Sequence, residues 1–368
     1  MNLRAYLDCA ATTPILPEVR RAMEPFLADK FGNPSSLHLW GREARLAIDL
    51  AREQVAAAMR CDPAEICFVS SGTEANALAI VGAMLAGNRR RLIVSATEHH
   101  SVLGATELAA ELGFETMTVG VDRAGLVDLD RLESLMDDQV GLVSVMAVNN
   151  ETGVVQPIEA IRSICQRFGA LFHTDAVQAT GITASDADLA TISSHKIHGP
   201  KGAAALIVNA GVQVKALIRG GGQERERRAG TESVASIVGF GAAASLLGAS
   251  VASMRDRLEE AILDGCPFAR RTTEAERAPH ISHLLFDRVS AESLLIAIDR
   301  RGVAASSGAA CSAGSIEPSH VLMAMGLSEE EALTGIRLSI GQTTTQEEVD
   351  YGAAVICEEA ERVRAATR

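Results

Sequence analysis

A lysine near the middle of the chain lies in a context that favours chemistry over surface charge. The segment "ISSHKIHGPKG" (192–202) places Lys196 after an apolar run, between two histidines and before a Gly-Pro turn. If the apolar run is a buried strand, desolvation in the cleft at its end lowers the pKa of the amine. Such an amine can form an imine with an aldehyde. The alternative is a lysine whose ammonium lies in water, as most lysines do.

Two further segments supply groups that could act together with this lysine. In "GALFHTDAVQ", Asp175 ends another predicted strand, where its carboxylate could keep the ring nitrogen of a bound cofactor protonated. The segment "SSGTEANALAI" places Ser71, Gly72 and Thr73 at the start of a predicted helix, which favours a phosphate. An ordinary N-cap explains the same three residues. A Schiff-base lysine, an acid and a phosphate seat together match the needs of pyridoxal phosphate.

Histidine and cysteine side chains could move protons and attack a substrate. "TEHHSV" contains His99 and His100, but no further ligands follow at a suitable spacing, so we predict no metal site. Stacking on the cofactor ring with proton transfer fits one of these histidines better. Cys311 lies in "VAASSGAACSAGSIEPSH", a small-residue stretch without apolar periodicity. This context predicts an accessible, nucleophilic thiol, unlike Cys165, which lies on a predicted helix.

The elements that must position these residues alternate between strand and helix. Four apolar runs, at 90–100, 140–150, 169–178 and 188–196, each indicate a buried strand with polar residues at its end. A helical pattern at 157–169 between two of these runs predicts a βαβ unit and a mainly parallel sheet. Ligands bind beyond the carboxyl ends of such strands. The polar residues expected to converge there are Glu98, His99, Asn149, Asn150, Asp175, Gln178, His195 and Lys196.

A second, smaller α+β domain is predicted after about residue 255, where strands and helices alternate at shorter range. It ends in a long helix that Thr345 and Glu348 open with a capping box. One long helical segment, 232–264, is expected to link the two domains. We predict a large cofactor-binding domain at 16–254 and a small domain, made of 1–15 and 255–368, that carries the cysteine loop.

Composition excludes several classes of partner. Of the 368 residues, 3% are aromatic and the net charge is −13, which argues against a nucleic-acid or anionic-membrane partner. No apolar stretch approaches the roughly 20 residues of a membrane span, and no signal peptide is evident. The seven cysteines are an odd number without a Cys-x-x-Cys pair, which predicts reduced thiols and a cytoplasmic location.

Many motifs in fixed order resemble one known family over almost the whole chain. They are "YLDCAATTP", "FGNPSS", "GTEANALAI", "TEHHSV", "VNNETGVVQPI", "HTDAVQATG", "SSHKIHGPKG", "GGGQERERRAGTE", "SSGAACSAGSIEPSHVL" and "IRLSIGQTTT". This pattern resembles the pyridoxal-phosphate-dependent cysteine desulfurases of the NifS/IscS type, class-V aminotransferases of fold-type I. The resemblance implies a large α/β domain with a mainly parallel seven-stranded sheet and a smaller α+β C-terminal domain.

The resemblance also implies a role for each matching residue. Lys196 would hold the cofactor as a Schiff base, Asp175 would pair with the ring nitrogen, and Gln178 would bond the phenolic oxygen. His99 would stack on the ring, and Cys311 would be the nucleophile. The phosphate would be held by Gly72, Thr73, Ser193, Ser194 and His195, and by Thr231 across a homodimer interface. The residues expected to contact substrate are Asn150, which could also contact the cofactor, and Asn33 and Arg337, which would bind the substrate carboxylate.

The implied reaction converts L-cysteine to L-alanine and leaves a persulfide on Cys311. The persulfide would pass to a sulfur-acceptor or scaffold protein, for iron–sulfur clusters or another thio-cofactor. Two enzymes of the same fold are alternatives, a selenocysteine lyase and an aminotransferase acting on a small amino acid. Transamination needs no thiol in the cysteine loop. A non-enzymatic sulfur carrier is disfavoured, because the lysine, aspartate, glutamine and histidine all occupy their places.

Overall fold

The computed structural model describes residues 3–179, 187–308 and 317–366. Its strands are β1 Ala5–Tyr6, β2 Ile66–Val69, β3 Arg91–Ser95, β4 Glu115–Val119, β5 Val140–Ser144, β6 Leu171–Asp175, β7 Leu189–Ser193, β8 Ala204–Val208, β9 Ala269–Arg271, β10 Ile281–Phe286, β11 Val303–Ala304 and β12 Gly335–Ser339. Its helices are α1 Pro17–Leu27, α2 Leu39–Met59, α3 Gly72–Ala77, α4 Ala83–Ala86, α5 His100–Glu111, α6 Leu129–Leu135, α7 Ile158–Phe168, α8 Val234–Ser245, α9 Ala252–Gly265, α10 Ala291–Asp299, α11 His320–Ala324, α12 Glu329–Ala332 and α13 Gln346–Ala366. A π-helical turn, Leu78–Gly82, joins α3 to α4.

A seven-stranded sheet forms the centre of the large domain, in the order β2-β8-β7-β6-β5-β3-β4. The four pairings that connect β7, β6, β5, β3 and β4 are parallel, whereas β8 pairs antiparallel with both β7 and β2. The mainly parallel seven-stranded sheet expected from the sequence is therefore confirmed. All four predicted strands exist, and β5-α7-β6 is the predicted βαβ unit.

The sheet is covered on both faces because its strands are apolar at successive positions. Along β3, Leu92 and Val94 belong to the core on one face, while Ile93 belongs to the core on the other. On β5, Leu142 and Val143 divide between the two faces in the same way. Successive side chains of a strand point to opposite faces, so continuous apolar runs require helices on both.

The C-terminal part of the chain builds a separate core around a three-stranded antiparallel sheet, in the order β12-β10-β9. Leu258 of α9, Phe286 of β10 and Ile356 of α13 are fully or almost fully buried in this core. The N-terminal strand β1 pairs in parallel with β11, and Leu7 joins the same core. The α+β C-terminal domain is confirmed, and the N-terminal residues pack on it.

One predicted element is wrong. The sequence favoured a single long helical segment over 232–264, but α8 and α9 are separate helices with residues 246–251 between them. The break includes Gly248, which lowers helix propensity, and no apolar periodicity crosses it. The predicted capping box of α13 is present, since Glu348 N donates to Thr345 Oγ1 and Thr345 N to Glu348 Oε2, at 3.2 and 2.7 Å.

Two buried carboxylates, Glu224 in the large domain and Glu259 in the small domain, accept hydrogen bonds that fix nearby backbone segments. Glu224 forms a bidentate pair with Arg52, at 2.7 and 2.9 Å, and also accepts from the backbone N–H of Phe68. These bonds fix a turn in which residues 224–226 all have positive φ. In the small domain, Glu259 accepts from Arg271 and Arg277. Within the described ranges, no helix is long and apolar enough to cross a membrane.

Candidate active site

A cavity of about 460 Å³ lies at the carboxyl ends of the parallel strands, where the large domain meets the small one. The strands end close together because they run in the same direction, so the polar residues that follow them converge. Most of the predicted site residues line this cavity. They are Gly72, Thr73, His99, Asn150, Asp175, Gln178, His195, Lys196 and Arg337.

Lys196 is held in a short 3₁₀ turn, Ser194–Lys196, directly after β7. Its Nζ donates to the carbonyl oxygens of Ala10 and Ala11 in the N-terminal segment, the latter at 3.0 Å. The pKa of the lysine is lowered to about 8, chiefly by burial and also by the nearby Arg337 guanidinium, while Asp175 opposes the change. About a fifth of the amine is therefore neutral near pH 7.4, far more than in an ordinary lysine, as a nucleophilic lysine requires.

Asp175 is the last residue of β6, and Gln178 lies three residues after it. Asp175 is 5% exposed and accepts from Val177 N at 3.0 Å and from Asn76 Nδ2 at 2.7 Å. Gln178 donates from Nε2 to Ala10 O at 2.8 Å, and its Oε1 lies 3.1 Å from His280 Nε2. The carboxylate is thus fixed by two donors, and the amide is fixed at both of its ends.

His99 is the N-cap residue of α5, and its Nδ1 accepts from Ser101 N at 3.1 Å. Burial lowers the pKa of His99. Lys196 lowers it further, and Asp175 opposes the change. The ring is therefore neutral at physiological pH and borders the cavity. The neighbouring His100 packs instead against His320, with ring centroids 4.8 Å apart.

Of the three residues predicted to begin the phosphate-binding site, one serves as a helix N-cap and two line the cavity. Ser71 is an ordinary N-cap, since its hydroxyl accepts from Glu74 N at 3.1 Å, while Gly72 and Thr73 line the cavity. The hydroxyl oxygens of Ser193 and Ser194 are buried and have no hydrogen-bond partner in the described structure. Buried hydroxyls without partners are rare. Ser193 lies beside Gly72 at the start of α3, where a polar ligand could accept from its hydroxyl, whereas Ser194 Oγ lies against Gly199.

Four predicted residues do not line this cavity, namely Asn33, Ser193, Ser194 and Thr231. Thr231 and Asn33 are both exposed, and neither lines it. The Oδ1 of Asn33 accepts from Ser35 N at 2.9 Å in an exposed turn. Within a single chain, therefore, Asn33 is not placed beside Arg337.

Arg337 lies on β12 of the small domain and is 5% exposed. Its Nη2 donates to Asp8 Oδ1 and its Nη1 to Asn150 O, both at 2.8 Å. The guanidinium therefore joins the N-terminal segment, the large domain and the small domain at the cavity. Its Nε is buried without a partner in the described structure, which leaves donor capacity for an anion.

Comparison with known proteins identifies the family to which the chain belongs. The class-V aminotransferase family model matches residues 5–351. The chain belongs to the class-V aminotransferase family. The cysteine desulfurase of Trichormus azollae is 42% identical, over 98% of this chain and 94% of that protein. The cysteine desulfurase NifS of Azotobacter vinelandii is 40% identical, over 94% of this chain and 90% of the Azotobacter protein.

Solved structures support the same assignment. A NifS-like protein from Rickettsia africae superposes with a TM-score of 0.87 at 33% identity, covering 98% of this chain and all of the other. The structure of SspA in complex with cysteine gives a TM-score of 0.84 at 33% identity, covering 93% of this chain and 100% of that one. This class-V family member is an enzyme, a cysteine desulfurase of the NifS/IscS type with the fold-type I architecture.

The predicted nucleophile of this desulfurase, Cys311, lies outside the described residues. Both flanks of its segment reach the site, since Gly308 and His320 line the cavity. The hydroxyl of Ser319 donates to the buried carboxyl of Glu151 at 2.5 Å.

Sequence reasoning missed several residues that shape the site. Asp8 pairs with Arg337, Asn76 holds Asp175, and the carbonyl oxygens of Ala10 and Ala11 accept from Lys196. Asp8 and Asn76 lie inside the motifs "YLDCAATTP" and "GTEANALAI". Both are polar residues within otherwise apolar or small stretches, and this signal could have identified them.

Proposed function

We propose that this desulfurase binds pyridoxal phosphate through Lys196 and transfers the sulfur of L-cysteine to Cys311 as a persulfide. The observation that carries the proposal is the buried amine of Lys196, whose pKa is lowered to about 8, in one cavity with Asp175 and His99. The complex of the related SspA with cysteine supports the substrate.

The residues around the cavity fit the cofactor. The carboxylate of Asp175, buried at the end of β6, is placed to pair with a protonated ring nitrogen. The phosphate needs hydrogen-bond donors, and the hydroxyl of Ser193, beside Gly72, is buried without another partner in the described residues. The N-terminus of the helix that begins at Gly72 adds backbone N–H groups, and His195 lies beside them.

When bound, pyridoxal phosphate supplies an electron sink for the pair left at carbon when the Cα–H bond of cysteine breaks. Lys196 would hold the cofactor, and its amine is placed to take the Cα proton. Arg337 orients the substrate carboxylate, which two guanidinium N–H groups suit. Asn150, at the cavity wall, adds a polar contact. His99, which lines the cavity, would stack on the cofactor ring, and a nitrogen of its own ring could move a proton.

Sulfur leaves the substrate by attack of a thiolate. The Cys311 thiolate attacks the cysteine sulfur, the S–S bond forms, and the C–S electron pair stays with carbon, which takes up protons to give alanine. Burial raises the pKa of Cys9, Cys61, Cys67 and Cys165 to about 12, so these thiols are poor nucleophiles. Cys311 follows the cavity-lining Gly308 by three residues.

The desulfurase acts as a homodimer in this proposal. Large apolar side chains cluster at the start of α2 and in the segment before it, where Phe31, Leu37 and Trp40 are 74%, 91% and 52% exposed. A surface of this kind is typical of an interface between subunits. Thr231, which is exposed and outside its own cavity, would then complete the phosphate seat of the other subunit. A sulfur-acceptor or scaffold protein would receive the persulfide in the cytoplasm.

Trapping the persulfide tests this function. The protein is mixed with L-cysteine without reductant, alkylated, and digested for mass spectrometry. We expect one extra sulfur on the peptide that contains Cys311, and none on that peptide in Lys196→Ala. Extra sulfur on another cysteine, or on Cys311 in the absence of bound cofactor, would contradict the proposal.

A further inference from the structure

A chain of hydrogen bonds connects His99 to Asp175. Asn76 on α3 is 1% exposed, and its Nδ2 donates to Asp175 Oδ2 at 2.7 Å and to Ser101 Oγ at 2.8 Å. Ser101 Oγ in turn lies 2.8 Å from His99 Nδ1. The two groups expected to stack on the cofactor ring and to pair with its nitrogen are therefore joined by one amide, that of Asn76, and one hydroxyl, that of Ser101.

The direction of each bond follows from the groups at its ends. An ionised carboxylate only accepts, so the amide nitrogen of Asn76 must face Asp175, and its two N–H groups are then both used. Ser101 Oγ accepts from Asn76 and is free to donate its own proton to His99 Nδ1. The backbone N–H of Ser101 donates to the same Nδ1 at 3.1 Å. Two donors at Nδ1 leave the proton of the neutral ring on Nε2.

We propose that Asn76 is a positioning residue that fixes the tautomer of His99 through Ser101 while it orients the carboxylate of Asp175. His99 consequently presents an Nε2–H donor to the cavity, and protonation at Nδ1 is opposed by a backbone N–H that cannot turn away. The proposal rests on the proposed function for the identity of the ring, but the hydrogen-bond chain belongs to the protein alone.

The charged and titratable groups that act on His99 are Asp175, Lys196, His100 and His320. None of them contacts Nδ1, where the hydrogen bonds are those of Ser101. Changes at Ser101 therefore report on this nitrogen without removing a charge from the site.

Four variants separate the two branches of the chain. Ser101→Ala removes the hydroxyl donor at His99 and leaves Asp175 with both of its partners. Asn76→Leu removes both branches at nearly constant volume. Ser101→Thr keeps a hydroxyl and should restore the wild-type state. Thr106→Val is the control, because the Thr106 hydroxyl, on the same helix as Ser101, bonds only to Val102 O among the residues that the structure describes.

The first readout is the side-chain ¹⁵N NMR spectrum of the full chain labelled at histidine, with and without pyridoxal phosphate. His99 is assigned by the signal lost in His99→Gln. We expect the Nε2–H tautomer in the wild type. Ser101→Ala and Asn76→Leu should both shift the Nδ1 signal and raise the pKa of His99, and the double variant should do no more than Ser101→Ala.

The second readout is cofactor affinity, measured by titrating cofactor-free protein. Asn76→Leu should weaken binding about tenfold through Asp175, while Ser101→Ala should change it less than about twofold. An Nδ1–H tautomer in the wild type, or an Nδ1 signal unmoved by Ser101→Ala, would overturn the proposal. An Asn76→Leu variant in which the ¹⁵N signal of His99 Nδ1 is unchanged would also overturn it. If Asn76→Leu does not fold, Ser101→Ala alone decides. Failure of the wild type to bind cofactor would refute the proposed function, while the tautomer would still be measured.

Discussion

The pKa of Lys196 should respond to the charge of Arg337 in a direction that the structure fixes. Arg337 lowers this pKa, and Asp8, which raises it, is ion-paired with Arg337 at 2.8 Å. Replacing the guanidinium in Arg337→Gln removes a positive charge and frees the negative charge of Asp8. Both changes favour the protonated amine, so the pKa of Lys196 should rise. Asp8→Asn should lower it, for the opposite reason.

The size of the effect can be worked from the wild-type value. A pKa of about 8 makes about half of the amine neutral at pH 8. A neighbouring charge in an active site shifts a pKa by about one unit or more. A rise of about one unit leaves only about a tenth of the amine neutral at pH 8, a fivefold loss of nucleophile. Arg337→Lys keeps a positive charge and should stay close to the wild type.

Carbamylation by cyanate measures this neutral fraction, because the reagent attacks unprotonated amines. Cofactor-free protein is treated briefly across pH 6–10, and each lysine peptide is quantified by mass spectrometry. The other lysines, Lys30, Lys201 and Lys215, are exposed and serve as internal references for reagent strength. Lys196 labelling should have its midpoint at about pH 8 in the wild type and about one unit higher in Arg337→Gln.

An unchanged or lower midpoint in Arg337→Gln would refute this account of the site. So would shifts of the same sign in Arg337→Gln and Asp8→Asn. A wild-type midpoint near 10.5, the ordinary value, would show that Lys196 is not desolvated.

Three further outcomes are expected. Glu224→Gln should lower the free energy of unfolding by about 3 kcal/mol, measured by urea denaturation, because it leaves the buried Arg52 charge without its carboxylate. Burial raises the pKa of Glu259, but hydrogen bonds from arginine and serine outweigh burial and lower it to about 2. Since the unfolded carboxyl titrates near 4.5, wild-type stability should fall as pH drops from about 4.5 to 2, and Glu259→Gln should lose this dependence. Replacing Leu37 and Trp40 by serine should shift the protein from dimer to monomer in analytical ultracentrifugation.

Each outcome has its control. Glu18→Gln breaks an exposed pair with Arg21 and should leave stability almost unchanged. An equal loss in Glu224→Gln and Glu18→Gln would contradict the role of burial. Glu260→Gln, next to Glu259, should keep the acid dependence. A wild type that is already monomeric would contradict the interface.

The strands and their polar ends could be predicted from the sequence because both follow from local patterns. Continuous apolar runs require a sheet covered on both faces, and parallel strands bring Asp175 and Lys196 to one edge. The capping box of α13 was visible for the same reason, since Thr345 and Glu348 are only three residues apart.

The contacts that complete the site were not predictable in this way. Asp8 and Arg337 are separated by 329 positions and meet only because the N-terminal segment pairs with the small domain. Asn76 reaches Asp175 across 99 positions, from a helix whose periodicity indicates only which residues are buried. The break between α8 and α9 was missed because small residues are compatible with both helix and loop.

The most direct test of the central claim is alanine and sulfide release from L-cysteine in the presence of dithiothreitol. The account predicts that the wild type releases both in equal amounts. Cys311→Ala should keep the visible absorbance of the bound cofactor and release neither, while the control Cys61→Ser should match the wild type. Turnover in Cys311→Ala at the wild-type rate, or a cofactor-loaded wild type that leaves cysteine intact, would contradict it.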